Sequence, residues 1–269
     1  MTSRPLVIAL CCNALVWPAF PAGRIAESEQ FRLVFDGAGI ASLTRAGDRA
    51  GVEYISPGRA LGSLLIRYRL GSGEVRRFST ADPANQRSES GNSRERVIVY
   101  NESPRNDADL ELAERFRLEG DALYWTVDLR NLTSKPLELG DVLLPGAIAH
   151  VMERFMVGHE WYPYWRQAGA SAPYLLMMSV THCPPFEPAG AERSFAPARF
   201  ESFNAAGLFL HSAFAMPGKF SSSVTLAPKS SPGDRLTYVF TFRWVDGLAA
   251  LQKALSAEGL LSDANGIPE

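Results

Sequence analysis

The chain has few of the residues that build metal centres and disulfide frameworks. Its 269 residues include 3 cysteines and 4 histidines. Cys11 and Cys12 lie in an apolar N-terminal segment, whose removal would leave Cys183 as the sole cysteine. A single cysteine cannot form a disulfide within one chain, so packing must hold the fold. Three histidines are spaced too loosely for a zinc pattern, and we expect no metal and no cofactor: His150, His159 and His182.

An excess of basic charge is also missing. Lysine and arginine number 27 against 29 aspartates and glutamates, which leaves a net charge of −2. A nucleic-acid-binding domain calls for a strongly basic patch or stripe, so this balance argues against nucleic acid as a partner. The sequence contains no G-x-G-x-x-G, P-loop, C-x-x-C or G-x-S-x-G motif. These absences argue against dinucleotide, nucleotide, redox and serine-hydrolase chemistry.

The N-terminal apolar run is too short to span a bilayer. Arg4 precedes this run, which extends from Leu6 to Phe20 and is broken by Asn13 and Pro18. A basic residue before a short apolar run is typical of a secretory signal. We therefore predict a signal peptide over residues 1–23 and a secreted or periplasmic protein without a membrane span. A buried N-terminal strand or a wrongly assigned start are the alternatives.

From Phe31 onward the apolar residues alternate with period two, which is typical of half-buried strands. Hydrophobic residues make up 46% of the chain, enough for a real core. We predict an all-β fold, a large antiparallel β-sandwich over residues 31–245, with hairpins over 31–45 and 110–130 and a polar loop over 82–93. Further strands are expected at 63–69, 96–101, 137–144, 154–158, 162–166, 174–180, 198–203, 207–211, 223–226 and 235–244.

One helix is expected after the last strand. Leu248, Leu251 and Leu255 form an i, i+3, i+7 stripe between Gly247 and Glu258. Asp246 is placed to cap the first turn, and Gly259 to end the helix. Residues 246–269 are therefore read as this helix and the start of a linker.

The segment from Gly140 to Met178 is unusually rich in aromatic and charged residues. Sugar-binding clefts use this mixture, because aromatic rings stack on the C–H face of a pyranose while carboxylates and imidazoles bond its hydroxyls. With period two, Tyr162, Tyr164 and Arg166 share one strand face and Trp161, Pro163 and Trp165 the other, so we expect one set to be buried. The candidate ligand-binding residues are His159, Glu160, Trp161, Tyr164, Trp165 and Arg166.

Three carboxylates of this segment are weak catalytic candidates: Asp141, Glu153 and Glu160. For Asp141 we favour the alternative that its side chain organises a turn after Gly140 over a bond to a ligand hydroxyl. Glu153 is suited to an ion pair with Arg154, either orienting a cleft or lying on the surface with little effect. The alternative for His159, which precedes Glu160, is a structural role in which its side chain hydrogen-bonds a backbone carbonyl and holds the turn after Gly158.

The same segment carries a family resemblance. It rests on Gly140-Asp141, Leu144-Pro145, Arg154-Phe155, Val157-Gly158-His159, Tyr164-Trp165-Arg166 and Pro173-Tyr174-Leu175, and on the closing stretch Tyr238-Val-Phe-Thr-Phe-Arg-Trp. These residues resemble the β-supersandwich half of a six-hairpin-glycosidase-like family, which has a galactose-mutarotase-like fold.

In that family the sandwich packs against a following (α/α) toroid, which usually carries the acid/base carboxylates. The resemblance therefore implies a carbohydrate-associated β-sandwich module of a glycoside-hydrolase-like protein, truncated before its catalytic toroid and not catalytic alone. Its partners would be an oligo- or polysaccharide and a toroid domain or subunit. Two alternatives stay open. One is a standalone glycosidase or aldose epimerase, and the other is a structural sandwich that docks a separate toroid.

Overall fold

The computed structural model describes residues 24–37, 39–101, 108–157, 160–179, 207–212, 214 and 224–261. Within them the chain forms sixteen β-strands and one helix, and every strand pair is antiparallel, which confirms the all-β prediction. The elements are β1 (Arg24–Glu27), β2 (Phe31–Asp36), β3 (Gly39–Arg45), β4 (Leu65–Leu70), β5 (Arg76–Ser79), β6 (Arg87–Gly91), β7 (Glu95–Tyr100), β8 (Leu110–Glu119), β9 (Ala122–Asn131), β10 (Leu137–Pro145), β11 (Val151–Val157), β12 (Glu160–Arg166), β13 (Tyr174–Ser179), β14 (Gly207–Ser212), β15 (Val224–Leu226), β16 (Arg235–Val245) and α1 (Leu248–Ala257).

An eight-stranded sheet forms one layer of the sandwich, in the spatial order β11-β12-β13-β16-β9-β8-β7-β6. Its centre is the hairpin predicted from the clearest alternation, with Leu110 opposite Asn131 and Leu118 opposite Leu123. Gly120 makes the turn at φ 58, a backbone conformation that glycine adopts without steric cost.

Two smaller sheets cover the inner face of the large one. One has the order β1-β2-β3, and the other has the order β14-β10-β4-β5 with β15 paired to β10. Side chains from all three sheets share one core, including Phe31 of β2, Leu139 of β10 and Trp125 of β9, each fully buried. Large buried side chains of this kind each contribute about 1.5–3 kcal/mol. The common core therefore holds the layers together.

Helix α1 covers part of the outer face of the large sheet. Leu251 and Leu255 are fully buried there and pack with side chains of β12, β13 and β16. Gly259 follows the helix at φ 70, and the amides of Gly259 and Leu260 donate to the carbonyls of Ser256 and Leu255 at 3.0 and 2.9 Å. This pattern is a Schellman ending, so the predicted helix stop at Gly259 is confirmed.

The predicted helix cap is wrong. Gly247 is the N-cap residue, and no side chain caps the helix. The carboxylate of Asp246 instead accepts a hydrogen bond at 3.0 Å from the guanidinium of Arg45, at the end of β3. An ion pair across the fold therefore replaces the local cap.

Strand β6 corrects part of the predicted loop over residues 82–93. Its sequence, Arg-Ser-Glu-Ser-Gly, has no apolar residue, yet it pairs with β7 from Arg87 opposite Tyr100 to Gly91 opposite Arg96. A polar edge strand discourages pairing with other chains, which explains the missing hydrophobic signal. Strand β1 was likewise not predicted. The proposed signal segment 1–23 and the predicted strand over 198–203 lie outside the described residues.

Candidate functional site

The candidate site lies on the outer face of the large sheet, where β11, β12 and β13 run side by side. In this register Glu153 lies opposite Tyr164, and Arg166 lies between Val151 and Tyr174. Since side chains alternate along a strand, these five side chains point to the same face of the sheet.

The carboxylate of Glu153 is held by two residues of the next strand. Tyr164 donates its hydroxyl at 2.6 Å, and the Nε and Nη2 atoms of Arg166 donate at 2.8 and 2.5 Å. The hydrogen bonds from Arg166 and then from Tyr164 lower the pKa of Glu153, so its carboxylate is ionised at neutral pH. The structural ion-pair partner of Glu153 is therefore Arg166, across the strands, rather than a chain neighbour.

Part of this pair remains open to solvent. The exposed fractions of the side chains are 34% for Glu153 and 27% for Arg166. The ring of Tyr174 is half-buried and stacks on that of Tyr164, with centroids 5.0 Å apart and planes inclined by 26°. Burial, followed by the hydrogen bond and the charge of Glu153, raises the pKa of Tyr164. Tyr164 is therefore a neutral donor that orients the carboxylate.

The two faces of β12 are both buried, which corrects the expectation that only one would be. Trp165 is 5% exposed and belongs to the main core, while Tyr162 and Tyr164 are 5% and 6% exposed and pack in the cluster under α1. The helix covers the face that a two-layer sandwich would leave open. Neither Trp165 nor Tyr164 has a free ring face for a sugar here, so a stacking role for them stays a prediction.

Asp141 lies inside the second small sheet rather than in a turn. It is fully buried in β10, and its Oδ2 atom is 2.5 Å from the Nε atom of Arg67 on β4. Its Oδ1 atom accepts the backbone N–H of Phe214 at 3.1 Å. The register of β4 and β10 shifts between Leu139 and Asp141, so Gly140 forms a bulge against which the Phe214 ring packs. This arrangement makes Asp141 a structural carboxylate.

The remaining candidates are not placed by the structure. His159 lies outside the described residues, and of Glu160 and Trp161 only the backbone is described, at the start of β12 opposite Val157 and Met156. Their predicted ligand contacts stay predictions. His150 packs edge-on against the buried ring of Tyr54, with centroids 4.2 Å apart, as expected for a structural histidine.

Tyr174 belongs to the site but is not among the residues predicted from the sequence. It belongs to the aromatic-rich segment, but its strand lies eight residues beyond Arg166 in the chain. Only the pairing of β12 with β13 brings Tyr174 directly opposite Arg166. The alternation of Tyr162, Tyr164 and Arg166 in the sequence indicates which side chains share a face of β12. It does not indicate which strand lies beside β12.

Two negative findings hold for the part of the chain that the structure describes. No group of three or more histidine, cysteine, aspartate or glutamate side chains there is placed to hold a metal ion. No helix there has the length and apolar character needed to cross a membrane.

Comparison with known proteins supports the fold. A polysaccharide lyase of known structure is similar with a TM-score of 0.60 and 12% identity, and the match covers 88% of this chain and 35% of the lyase. Both a putative aldose 1-epimerase from Escherichia coli K12 and a galactose mutarotase-like protein from Lactobacillus casei match with TM-score 0.48 and 12% identity, over 82% of this chain and 98% and 99% of theirs. Neither a protein-family model nor a curated protein sequence matches the chain.

The likeness to the lyase confirms the β-sandwich prediction at the level of the fold. The chain corresponds to 35% of the length of the lyase, so the shared sandwich is one part of that larger protein. A fold hosts many functions, and the function must be argued from the site.

Proposed function

We propose that this chain is a carbohydrate-associated β-sandwich module of a glycoside-hydrolase-like protein. The module binds a glycan at the outer sheet edge formed by Glu153, Arg166 and Tyr174. It works with an (α/α) toroid that carries the chemistry, supplied by the same protein or by a separate subunit. The observation that carries the proposal is the partly exposed Glu153–Arg166 pair beside the Tyr174 ring.

The chemistry of this edge suits a sugar. An oriented carboxylate accepts hydrogen bonds from vicinal hydroxyls, and a guanidinium donates to ring and hydroxyl oxygens. Tyr164 and Arg166 hold the carboxylate of Glu153 from two sides, which reduces the entropy lost when a ligand binds. The remaining exposed part of Tyr174 offers an apolar surface beside these polar groups.

Binding fits this geometry better than catalysis. A glycosidase needs one protonated carboxyl as acid and a second carboxylate as nucleophile or base. The pKa of Glu153 is lowered, so it is ionised at neutral pH and cannot serve as the acid. Asp141 is fully buried and paired with Arg67, which keeps it away from any substrate. The standalone-enzyme alternative therefore depends on residues outside this edge.

A second candidate function is docking of the toroid on the same edge. Val151, opposite Arg166, is 43% exposed, and Leu248 at the start of α1 is 49% exposed. Exposed apolar side chains beside an ion pair are common at interfaces between domains. Binding of an isolated toroid to the chain, weakened by the substitutions Val151→Asp and Leu248→Asp in the chain, would favour docking over glycan binding.

We further propose that the protein acts outside the cytoplasm, on the basis of Arg4 and the apolar run after it.

Glycan binding is tested on the full chain with an oligo- and polysaccharide array, followed by calorimetry with the glycan that binds best. We expect Arg166→Gln and Tyr174→Ala each to weaken binding at least tenfold. The matched control is Glu95→Gln, which breaks another cross-strand Arg–Glu pair, with Arg115 at 2.8 Å, elsewhere on the sheet. No bound glycan, or equal affinity in the folded Arg166→Gln variant, would overturn the proposal.

A further inference from the structure

Two arginines at the opposite edge of the large sheet share one glutamate, and a third arginine lies near them. Arg96 belongs to β7, Arg87 to the edge strand β6, and Arg24 to β1 of the three-stranded sheet. The guanidinium of Arg87 also lies against the turn between β2 and β3, since a Cβ atom at Gly37 would be 2.4 Å from its Nη2 atom. The cluster therefore bridges two sheets of the sandwich.

The register places the charged side chains on the inner face. Glu89 lies opposite Ile98 and Arg87 opposite Tyr100, while Ile98 and Tyr100 are buried on the core side of β7. Arg96 follows the same alternation and is only 7% exposed. An arginine at this depth needs partners for its N–H groups, because a buried donor without a hydrogen bond loses the hydration it has in the unfolded chain.

The described residues do not satisfy Arg96. Its Nη2 atom contacts the Oε2 atom of Glu89, while the other carboxylate oxygen of Glu89 is 3.3 Å from the Nε atom of Arg87. The Nε and Nη1 atoms of Arg96 are buried and find no hydrogen-bond partner among the described residues. One carboxylate is thus shared between two guanidinium groups, and donors remain unused.

Two guanidinium groups share one carboxylate here, since Arg87 and Arg96 both form ion pairs with Glu89. Burial, and then the charges of Arg24 and Arg87, lower the pKa of Arg96. Arg24 is exposed and forms no ion pair with a described residue. It lies opposite Phe35, whose ring is 5.6 Å from that of Phe116, the cross-strand neighbour of Arg96.

We propose that Arg24, Arg87 and Arg96 form a binding site for an oxyanion, a carboxylate or sulfate group. The planar fork of a guanidinium matches two oxygens of such a group, and its charged hydrogen bonds are about twice as strong as neutral ones. The oxyanion accepts from the two unused donors of Arg96 and balances the charges of Arg24 and Arg87. A free ion and an acidic substituent on a glycan share this chemistry, so the site does not depend on the glycan edge proposed above.

The test measures ligand affinity by calorimetry on the full chain at constant ionic strength, with sodium sulfate, glucuronate and glucose as probes. We expect saturable binding of sulfate or glucuronate and none of glucose. If glucuronate binds at least tenfold tighter than sulfate, the natural ligand is an acidic sugar; the reverse order indicates a free ion. Binding of neither anion, or equal binding of glucose, would overturn the proposal.

Two variants locate the binding. Arg96→Gln removes the buried donors, and Arg24→Gln removes an exposed charge and leaves the core intact. We expect each to weaken anion binding at least fivefold. Arg115→Gln is the matched control, because Arg115 is an exposed arginine of the same sheet whose pair with Glu95 lies on the outer face of β7 and β8, opposite to the face of the cluster. Unchanged affinity in the folded Arg24→Gln variant, or equal loss in the control, would refute the site.

Discussion

The indole Nε1–H of Trp125 donates a hydrogen bond to the Oε1 atom of Glu114, 3.2 Å away, inside the hydrophobic core. Both residues are fully buried, and the Oε2 atom of Glu114 has no hydrogen-bond partner among the described residues. Burial raises the pKa of Glu114 well above its usual range, against the smaller opposite effect of the Trp125 hydrogen bond. The sandwich therefore encloses a carboxylic acid that is neutral at pH values where exposed glutamates are charged.

Glu114→Gln is expected to stabilise the protein at neutral pH. In the wild type the unfolded chain releases the Glu114 proton above about pH 4.3, while the folded chain keeps it up to its raised pKa. As pH rises from the pKa of Glu114 in the unfolded chain to its raised pKa in the folded chain, Glu114 lowers the free energy of unfolding by up to about 1.4 kcal/mol per pH unit. The glutamine retains a carbonyl oxygen for Trp125 and does not titrate. Urea denaturation between pH 4 and pH 8 measures the difference.

The control for this prediction is Glu111→Gln, on the other face of the same strand, which should keep the wild-type slope of stability against pH. Parallel pH profiles for wild type and Glu114→Gln would show that Glu114 does not hold a proton in the folded state. The nearby Tyr100 has a raised pKa, chiefly through its own burial. Tyr100 therefore stays neutral throughout this pH range.

Asp141→Asn is expected to destabilise the fold by about 3 kcal/mol, because it leaves the Arg67 charge poorly paired inside the sandwich. The neighbouring pair on the same two strands, Arg69 with Glu138, is more exposed, with side-chain fractions of 40% and 21%. Glu138→Gln should therefore cost less than about 1 kcal/mol. Chemical denaturation of both variants gives the two values. Equal costs would mean that the depth of Asp141 has no effect on its pairing energy.

Gly140→Ala is expected to cost about 1–3 kcal/mol through overpacking. A Cβ atom at position 140 would lie 2.1 Å from the Cδ2 atom of the Phe214 ring. In a Phe214→Ala background the same change should cost less, since the ring is gone. A double-mutant cycle of unfolding free energies measures this coupling. A cost that is the same in both backgrounds would place the strain elsewhere in the bulge.

Tyr164→Phe is expected to raise the pKa of Glu153, because the carboxylate loses one of the hydrogen bonds that favour its charged form. Arg166 remains, so the pKa should stay below the usual range. Carboxyl-carbon NMR titration of Glu153 measures the shift. Tyr174→Phe is the control, since its hydroxyl is not among the groups that hold Glu153. A Glu153 pKa unmoved by Tyr164→Phe would assign its depression to Arg166 alone.

Local patterns predicted the elements whose signal is contained in a few residues. The β8–β9 hairpin follows from strict alternation on both sides of Gly120, and the end of α1 follows from the backbone freedom of Gly259. Strand β6 was missed because a polar edge strand carries no apolar alternation. The predicted capping role of Asp246 was wrong because its carboxylate accepts a hydrogen bond from Arg45, 201 residues away in the chain.

The candidate site was likewise predicted only where its signal is local in the sequence. Period two correctly placed Tyr162, Tyr164 and Arg166 on one face of β12. The sequence could not tell that α1 would cover Tyr162 and Tyr164 while leaving part of Arg166 exposed. Cross-strand neighbours such as Glu153 and Tyr174 depend on register, and register is set by the pairing of whole strands.

The sequence by itself determined that this protein is an all-β sandwich with one C-terminal helix, because hydrophobic alternation and turn glycines act over a few residues. The tertiary structure alone decided which charges meet. It joined Glu153 to Arg166, buried Asp141 against Arg67, and brought Arg87 and Arg96 to one glutamate at the far edge. These contacts depend on strand order and layer packing, which bring together residues that no local pattern connects.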